Sequence, residues 1–293
     1  MQGDGAGALA VRLRVIGFAS DFGTRDPYVG ICHAVIARIG LALRVIDLGH
    51  EIPPGDIRGG AALVAQAAPF LPAAPVLLAV VDPGVGTDRA GLVVRTGADA
   101  LLVGPDNGLL PWAAGALGGA AAAYAIENRA LMLEPRSHTF HGRDVFAPVA
   151  ARLALGLRPA EVGPPLPVEH LARLPDPVVV VTPGRLTAEI LMVDRYGNLQ
   201  TAARLEQLTA AVGEGGSAAE DGSLPGAADD RVLTVEAGDN ALAARLGTTY
   251  GSVPPGEAVV YLDSAGLVAV ARNGADAATA LRVGAGDQIM ISG

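Results

Sequence analysis

VLLAVVDPGVGTDR, residues 76–89, decides how the first half of the chain is organised. Six apolar residues run without a polar break up to Asp82, which is the pattern of a strand buried on both faces. Pro83 and two glycines then predict a tight turn, and Arg89 follows it. Ligands of open α/β sheets bind at the carboxyl ends of such strands. The stretch therefore predicts a buried α/β sheet with a polar site at one edge.

The same alternation of apolar runs with polar turns extends through the first half of the chain. Strands are expected over 12–19, 43–49, 76–82, 91–96, 100–105 and 121–127. Helices are expected over 26–40, 55–70, 108–118 and 142–156. This order predicts an N-terminal three-layer α/β domain over residues 1–170.

The second half has a different pattern. A proline-rich stretch around 158–178 lacks a clear period, which is typical of a linker. Short β-like runs separated by turn residues then predict a smaller antiparallel, barrel-like β domain over 171–293. Residues 213–230 are acidic and rich in Gly, Ala and Ser, which favours a flexible surface loop.

Composition excludes several classes of protein. The net charge is −9 with no basic stripe, so a nucleic-acid partner is not expected. Although 51% of residues are hydrophobic, no apolar run reaches the ~18–20 residues of a membrane span. The single cysteine rules out an internal disulfide and a cysteine-based zinc site. A cytoplasmic, soluble protein is the expectation.

Two polar turns offer both structural and functional interpretations. Asp21 ends the first expected strand, where a carboxylate either receives ribose hydroxyls or braces the turn. Asp82 and Arg89 are seven positions apart, and their spacing alone favours a structural pair across the turn. The turn is not a phosphate-binding Walker A loop, because the GK[ST] ending is absent.

HTFHGRDVFAP, residues 138–148, holds two of the five histidines. A metal site would need further ligands from elsewhere, such as Asp21, Asp82 or His50. As part of a nucleophilic triad, His141 lacks a serine in a recognisable elbow. Asp144 suits the positive end of a following helix, but helix-start chemistry does not explain His141.

Seven motifs in order carry a family resemblance. They are SDFGTRDPYVG, EIPPGDIRGGA, AVVDPGVGTDR, GPDNGLL, TFHGRDVFAPVAA, VDRYGNLQT and SAGLVAVARNGA, and the resemblance that they carry spans roughly residues 13–292. Together they resemble the S-adenosyl-L-methionine (SAM) hydroxide adenosyltransferases, or SAM hydrolases, which are related to the SAM-dependent fluorinase and chlorinase. The resemblance implies an α/β domain, a smaller β domain, and homotrimers whose active sites lie between subunits.

The implied reaction is an SN2 attack of water or hydroxide on ribose C5′, giving adenosine and methionine without metal or cofactor. The resemblance implies that Asp82, Arg89 and His141 form the catalytic set. His141 would accept the proton of water, Asp82 would orient the pair of His141 and water, and Arg89 would favour the developing negative charge. The implied substrate contacts are Asp21 at the ribose, Tyr28, Asp194 and Ser264 towards methionine, and Asn198, Tyr250, Arg272 and Gly274 around adenine, with Phe140 as a further substrate-binding residue.

Three competing functions remain open from the sequence. A halogenase is the runner-up within the family, but the fluorinase has tyrosine and serine where this chain has His141 and Gly142. It also lacks the partners that Asp82 and Arg89 provide here. A metal-dependent hydrolase that uses the same histidines is the second, and a non-catalytic SAM or adenosine sensor is the third. An intact Asp–Arg–His set argues against the sensor, since binding alone does not require it.

Overall fold

The computed structural model describes residues 14–213 and 231–293, which fold into two compact units. The first unit ends at Leu174 and the second begins at Pro175. Residues 214–230 of the expected flexible loop lie outside the described residues.

A seven-stranded sheet forms the centre of the first unit. Its strands are β1 (Ile16–Ser20), β2 (Val45–Gly49), β3 (Val76–Val80), β4 (Gly91–Thr96), β5 (Leu101–Pro105), β6 (Ala120–Ala125) and β7 (Pro165–Leu166). The spatial order is β2-β1-β3-β5-β4-β6-β7. Strands β2, β1, β3 and β5 are parallel neighbours, and β4, β6 and β7 continue the sheet with antiparallel pairs. Every residue of β1, β3 and β5 is buried, which explains their unbroken apolar sequences.

Two pairs of helices cover the sheet. Helices α1 (Tyr28–Ile39) and α4 (Ala147–Ala154) pack together against one face, with Phe18 in the core between. Helices α2 (Ile57–Ala67) and α3 (Leu109–Ala116) pack against the other face, where Leu77 is buried. The predicted three-layer α/β architecture is confirmed.

The parallel pairs bring polar turns together at one edge of this sheet. Ser20 at the end of β1 pairs in register with Val80 at the end of β3, and the amide of Asp21 donates to the Val80 carbonyl. Asp21 and Asp82 therefore leave neighbouring strands at the same edge. The candidate active site is built on this edge.

The second unit is a closed β barrel. Its elements are β8 (Val179–Thr182), β9 (Arg185–Val193), β10 (Leu199–Arg204), α5 (Leu205–Val212), β11 (Val232–Ala237), β12 (Asn240–Leu246), β13 (Ala258–Leu262), β14 (Leu267–Arg272), α6 (Ala277–Leu281) and β15 (Gln288–Ser292). Pairing of β10 with both β14 and β9 closes a ring of seven strands, and β8 extends it beside β9. The predicted barrel-like β domain is confirmed.

Three features of the chain differ from the sequence-based expectation. Strands β12 and β13 pair in parallel, and residues 247–257 form the crossover connection that a parallel pair requires. Strand β12 and helices α5 and α6 were not predicted. The expected linker folds onto the first unit: β7 pairs with β6, and Leu171 is buried in the core beside α2 and α3. Among the described residues, no helix combines the length and apolar character needed to cross a bilayer.

Candidate active site

Asp82, Arg89 and His141 are in direct contact. Arg89 Nε donates to Asp82 Oδ1 over 2.8 Å, and its Nη2 donates to Asp82 Oδ2. The same Nη2 lies 2.9 Å from His141 Nδ1. The Arg89 side chain is 13% exposed and that of Asp82 is 6% exposed. Asp82 and Arg89 therefore form the ion pair that a structural role predicts. The same guanidinium also contacts His141, as the catalytic set implied by the resemblance requires.

The contact with Arg89 fixes the tautomer of His141. A guanidinium has only donors, so Nδ1 must accept the hydrogen bond and a neutral imidazole then carries its proton on Nε2. Burial lowers the pKa of His141, and the positive charges of Arg89 and Arg136 lower it further. The ring is therefore held neutral near pH 7, and its Nε2–H is a donor with no partner among the described residues. In this arrangement it has no free lone pair with which to accept a proton.

Gly86 joins the turn after β3 to the loop that carries His141. Gly86 has a φ of +80°, and a Cβ at this position would clash with the carbonyl oxygen of His138. The turn is closed by backbone bonds from Val85 to Asp82 and from Thr87 to Gly84. Close backbone packing of two loops thus sets the distance between Arg89 and His141.

Asp21 is half-buried at the same edge of the sheet. Its Oδ2 accepts from the amide of Gly55 over 2.9 Å. Burial raises the pKa of the Asp21 carboxyl, and the negative charge of Asp82 contributes in the same direction although hydrogen bonds oppose it. Asp21 thus belongs to the same electrostatic environment as the Asp82–Arg89–His141 set.

Three aromatic rings cluster beside these residues. Phe140, which precedes His141, lies 5.1 Å from Tyr28 and 5.6 Å from Phe22 between ring centroids, edge to face in both cases. Tyr28 remains 45% exposed. A Cβ added at Gly142 would lie 2.7 Å from Phe22 Cζ, so the ring fills the space that a side chain at 142 would need.

The remaining polar residues of 138–148 have structural roles. Asp144 is 1% exposed, accepts from the Ser137 amide over 2.8 Å, and pairs with Arg143 through both carboxylate oxygens. It lies in a π-helical turn, Gly142–Phe146, that leads into α4, as its interpretation as a helix-start residue predicts. His138 is exposed, and its carbonyl faces Gly86.

The residues expected around adenine come together in the second unit. Asn198, Tyr250, Arg272 and Gly274 line one cleft of about 660 Å³. The sequence did not single out five further lining residues: Arg195, Tyr196, Asn273, Ala275 and Asp276. Each lies within two positions of a predicted residue on the turn after β9 or on the turn after β14, and that proximity in sequence was the available signal.

Asp194 and Ser264, expected towards methionine, do not line this cleft. Asp194 accepts from the amides of Tyr196 and Asn198 and from the Asn198 side chain, which makes it the organiser of its own turn. Ser264 is exposed on the β13–β14 hairpin turn, at the opposite end of these strands from Arg272. Arg272 lies four residue steps after Val268, or roughly 13 Å along the strand.

In the described part of the chain, His138 and His141 do not belong to a cluster of metal-binding side chains. Within residues 14–213 and 231–293, no group of three or more His, Cys, Asp or Glu side chains is arranged to hold a metal ion. His141 instead uses Nδ1 to accept from Arg89.

Comparison with known proteins assigns the two units to one family. Residues 16–163 match the SAM hydroxide adenosyltransferase N-terminal domain, and residues 188–290 match the SAM hydroxide adenosyltransferase C-terminal domain. The chain belongs to the SAM hydroxide adenosyltransferase family. A relative from Salinispora tropica, named (R)-S-adenosyl-L-methionine hydrolase, is 50% identical over 94% of this chain and 97% of its own.

The chain is also similar to a solved structure and, more distantly, to a fluorinase. A crystal structure of an uncharacterized conserved protein from Thermotoga maritima superimposes with a TM-score of 0.84 and 36% identity, covering 95% of this chain and 100% of that one. A fluorinase from Actinopolyspora mzabensis is 27% identical over 90% of this chain and 92% of its own. The SAM hydroxide adenosyltransferase resemblance seen in the sequence is thus confirmed, with a fluorinase as a more distant relative.

Proposed function

We propose that this SAM hydroxide adenosyltransferase hydrolyses SAM to adenosine and L-methionine by attack of hydroxide on ribose C5′. The observation that carries the proposal is the contact of Asp82, Arg89 and His141 at the carboxyl edge of the sheet. The chain matches both domains of the family, and its relative at 50% identity is named a SAM hydrolase.

The leaving group sets what the site must supply. As the C5′–O bond forms, the C5′–S bond breaks and its electron pair returns to sulfur, which departs as a neutral thioether. A neutral thioether needs neither a general acid nor a metal to leave. The difficult part is the nucleophile, because hydroxide is scarce near pH 7.

The contact with Arg89 favours a hydrogen-bond donor role for His141 over the proton-acceptor role that the resemblance implies. With Nδ1 accepting from Arg89, His141 acts as an Nε2–H donor that holds the hydroxide oxygen rather than as the base that forms it. The Arg89 charge and the substrate sulfonium both lower the pKa of a water molecule between them, whose proton leaves to solvent. Asp82 orients the guanidinium through its two hydrogen bonds.

Substrate binding is divided between residues at the sheet edge of the first unit and the cleft of the second unit. Asp21 receives the ribose hydroxyls, and Tyr28 and Phe140 pack near the sulfonium, whose positive charge suits aromatic faces. The cleft of Asn198, Tyr250, Arg272 and Gly274 receives adenine, with Tyr250 stacking on the purine. Asp194 and Ser264 are proposed to lie towards the methionine end. Homotrimers whose active sites join two subunits, and a cytoplasmic location, complete the proposal.

Incubation of the purified protein with SAM, followed by chromatography, tests the proposal. We expect adenosine and methionine in equal amounts, with unchanged turnover after exhaustive chelation. Loss of activity on chelation that metal restores would favour a metal-dependent hydrolase. Tight SAM binding without turnover would favour a sensor. A 5′-halo-5′-deoxyadenosine product in the presence of halide would favour a halogenase.

A further inference from the structure

His50 is a second buried histidine that the proposed mechanism does not use. It follows β2 directly, its side chain is 4% exposed, and its ring packs edge to face on Phe18 at 4.6 Å between centroids. A buried polar ring is costly unless its nitrogens have partners. The partners of His50 show what it holds in place.

His50 holds the chain on both sides of Asp21. Its Nδ1 lies 2.7 Å from the hydroxyl of Ser20, which is fully buried at the end of β1. The Ser20 hydroxyl in turn accepts from the amide of Phe22, and the backbone carbonyl of His50 accepts from the amide of Gly23 over 2.7 Å. The residue before Asp21 and the two after it are therefore tied, directly or through Ser20, to one histidine.

The order Ser20, His50, Asp47 resembles a nucleophilic triad but is unsuited to that chemistry. Ser20 is 0% exposed, so no substrate reaches its hydroxyl. His50 Nε2 approaches Asp47 Oδ1 to 3.1 Å without an aligned hydrogen bond. Asp47 is half-exposed and also contacts His33 over 2.8 Å. The group is thus suited to fixing a backbone rather than to attacking a substrate.

The segment that follows His50 continues the same contact. Glu51 accepts from both the amide and the hydroxyl of Thr24, and the Gly55 amide donates to Asp21 itself. Residues 50–55 therefore lie along residues 20–24 and hold that segment in place through hydrogen bonds. We propose that His50 is a positioning residue that sets Asp21 for the ribose, an inference that rests on the proposed function.

Substitutions that distinguish the contribution of Nδ1 from that of Nε2 test this role. His50→Asn keeps a polar atom near the position of Nδ1, whereas His50→Leu removes it at similar volume. We expect His50→Leu and Ser20→Ala to raise KM for SAM roughly three- to tenfold, the worth of one hydrogen bond, with kcat within about twofold of wild type. His50→Asn should recover most of the loss. Asp47→Asn, the matched control, should leave KM unchanged.

A double-mutant cycle shows whether His50 acts through Asp21. In an Asp21→Ala background, His50→Leu should cause no further loss of affinity for adenosine, measured by calorimetry. Additive losses, or equal effects of His50→Leu and His50→Asn, would overturn the proposal. Reduced thermal stability with an unchanged KM and adenosine affinity would also overturn it.

Adenosine affinity separates this proposal from that of SAM hydrolysis. If the wild type binds adenosine but does not hydrolyse SAM, the proposed function fails while the affinity ratios still decide the role of His50. If the wild type binds neither adenosine nor SAM, both proposals fail.

Discussion

The side chain of His141 carries the most specific chemical prediction. If the ring serves as a donor, His141→Gln keeps an amide N–H near the position of Nε2 and should lose only roughly tenfold in kcat. His141→Leu has no donor and should lose about a hundredfold to a thousandfold. Steady-state kinetics with SAM measures both. Equal and severe losses in the two variants would instead indicate a general base.

The pKa of His141 gives a second prediction for this side chain. Burial and the Arg89 charge lower it, so the imidazole should titrate by NMR below its ordinary value of about 6.5. Because the unfolded chain then binds the proton more readily, the stabilising contribution is present above that value and lost as the pH falls below it.

Removing the cation isolates its share of this shift. Arg89→Met should raise the titration midpoint of His141 towards the ordinary value and also reduce turnover. Arg136→Met, which removes a cation with a smaller effect on His141, should raise the midpoint less. An unchanged midpoint in Arg89→Met would contradict the electrostatic argument, and unchanged turnover would remove Arg89 from the catalytic set.

Gly142 is required by the ring of Phe22. Phe22 is held edge to face by Phe18 and Phe140, so it has little freedom to move away from a Cβ only 2.7 Å from its Cζ. Gly142→Ala should therefore lower the free energy of unfolding by about 1–3 kcal/mol, as overpacking does, and reduce kcat. Phe22→Leu in the same chain should restore part of the stability. Urea denaturation of the single and double variants checks this, and a fully stable Gly142→Ala would disprove it.

At the scale of elements, the turn after β3 and the loop before α4 are joined at Gly86. Gly86→Ala combines the strain of a positive φ, about 1–2 kcal/mol, with a clash against the His138 carbonyl. We expect lower stability and a lower kcat, because Arg89 and His141 move apart. Gly115→Ala in α3, where a Cβ meets nothing within 4 Å, is the control and should be neutral or stabilising. Equal effects at the two sites would contradict this role.

The strands that are buried along their whole length were the ones that the sequence predicted best. Strands β1, β3 and β5 are buried along their whole length, and their unbroken apolar runs predicted them. Strand β12 was missed because its residues, NALAARL, are largely alanine and polar, with little β-branched character. The proline-rich residues after α4 carry the composition of a linker, and the pairing of β7 with β6 that holds them on the first unit depends on a partner distant in sequence.

The residues of the candidate active site were predictable from the family motifs, but their contacts were not. The family resemblance singled out Asp82, Arg89 and His141, which the structure places in contact. Spacing alone gave no sign of the contact between Arg89 and His141, since the two are 52 positions apart. The acceptor role of His141 Nδ1 and the packing of Phe22 on Gly142 depend on side-chain geometry, which motifs do not encode.

At the scale of the whole molecule, the proposed shared active sites predict complementation between inactive chains. Arg89→Met disables the first unit, and Tyr250→Ala disables the cleft of the second. In a cyclic trimer with sites between subunits, every mixed trimer contains one intact site, so equal random mixing should restore about a quarter of the wild-type activity. Each variant refolded alone is the control. Failure of mixed trimers to recover activity would contradict sites shared between subunits.

Direct attack of hydroxide from solvent on C5′ is the step on which the proposed function depends. Incubation with SAM in oxygen-18-labelled water, followed by chromatography and mass spectrometry, tests it. We predict methionine together with adenosine that carries the heavy oxygen at its 5′-hydroxyl. Adenosine without the label, or a product other than adenosine, would contradict direct attack.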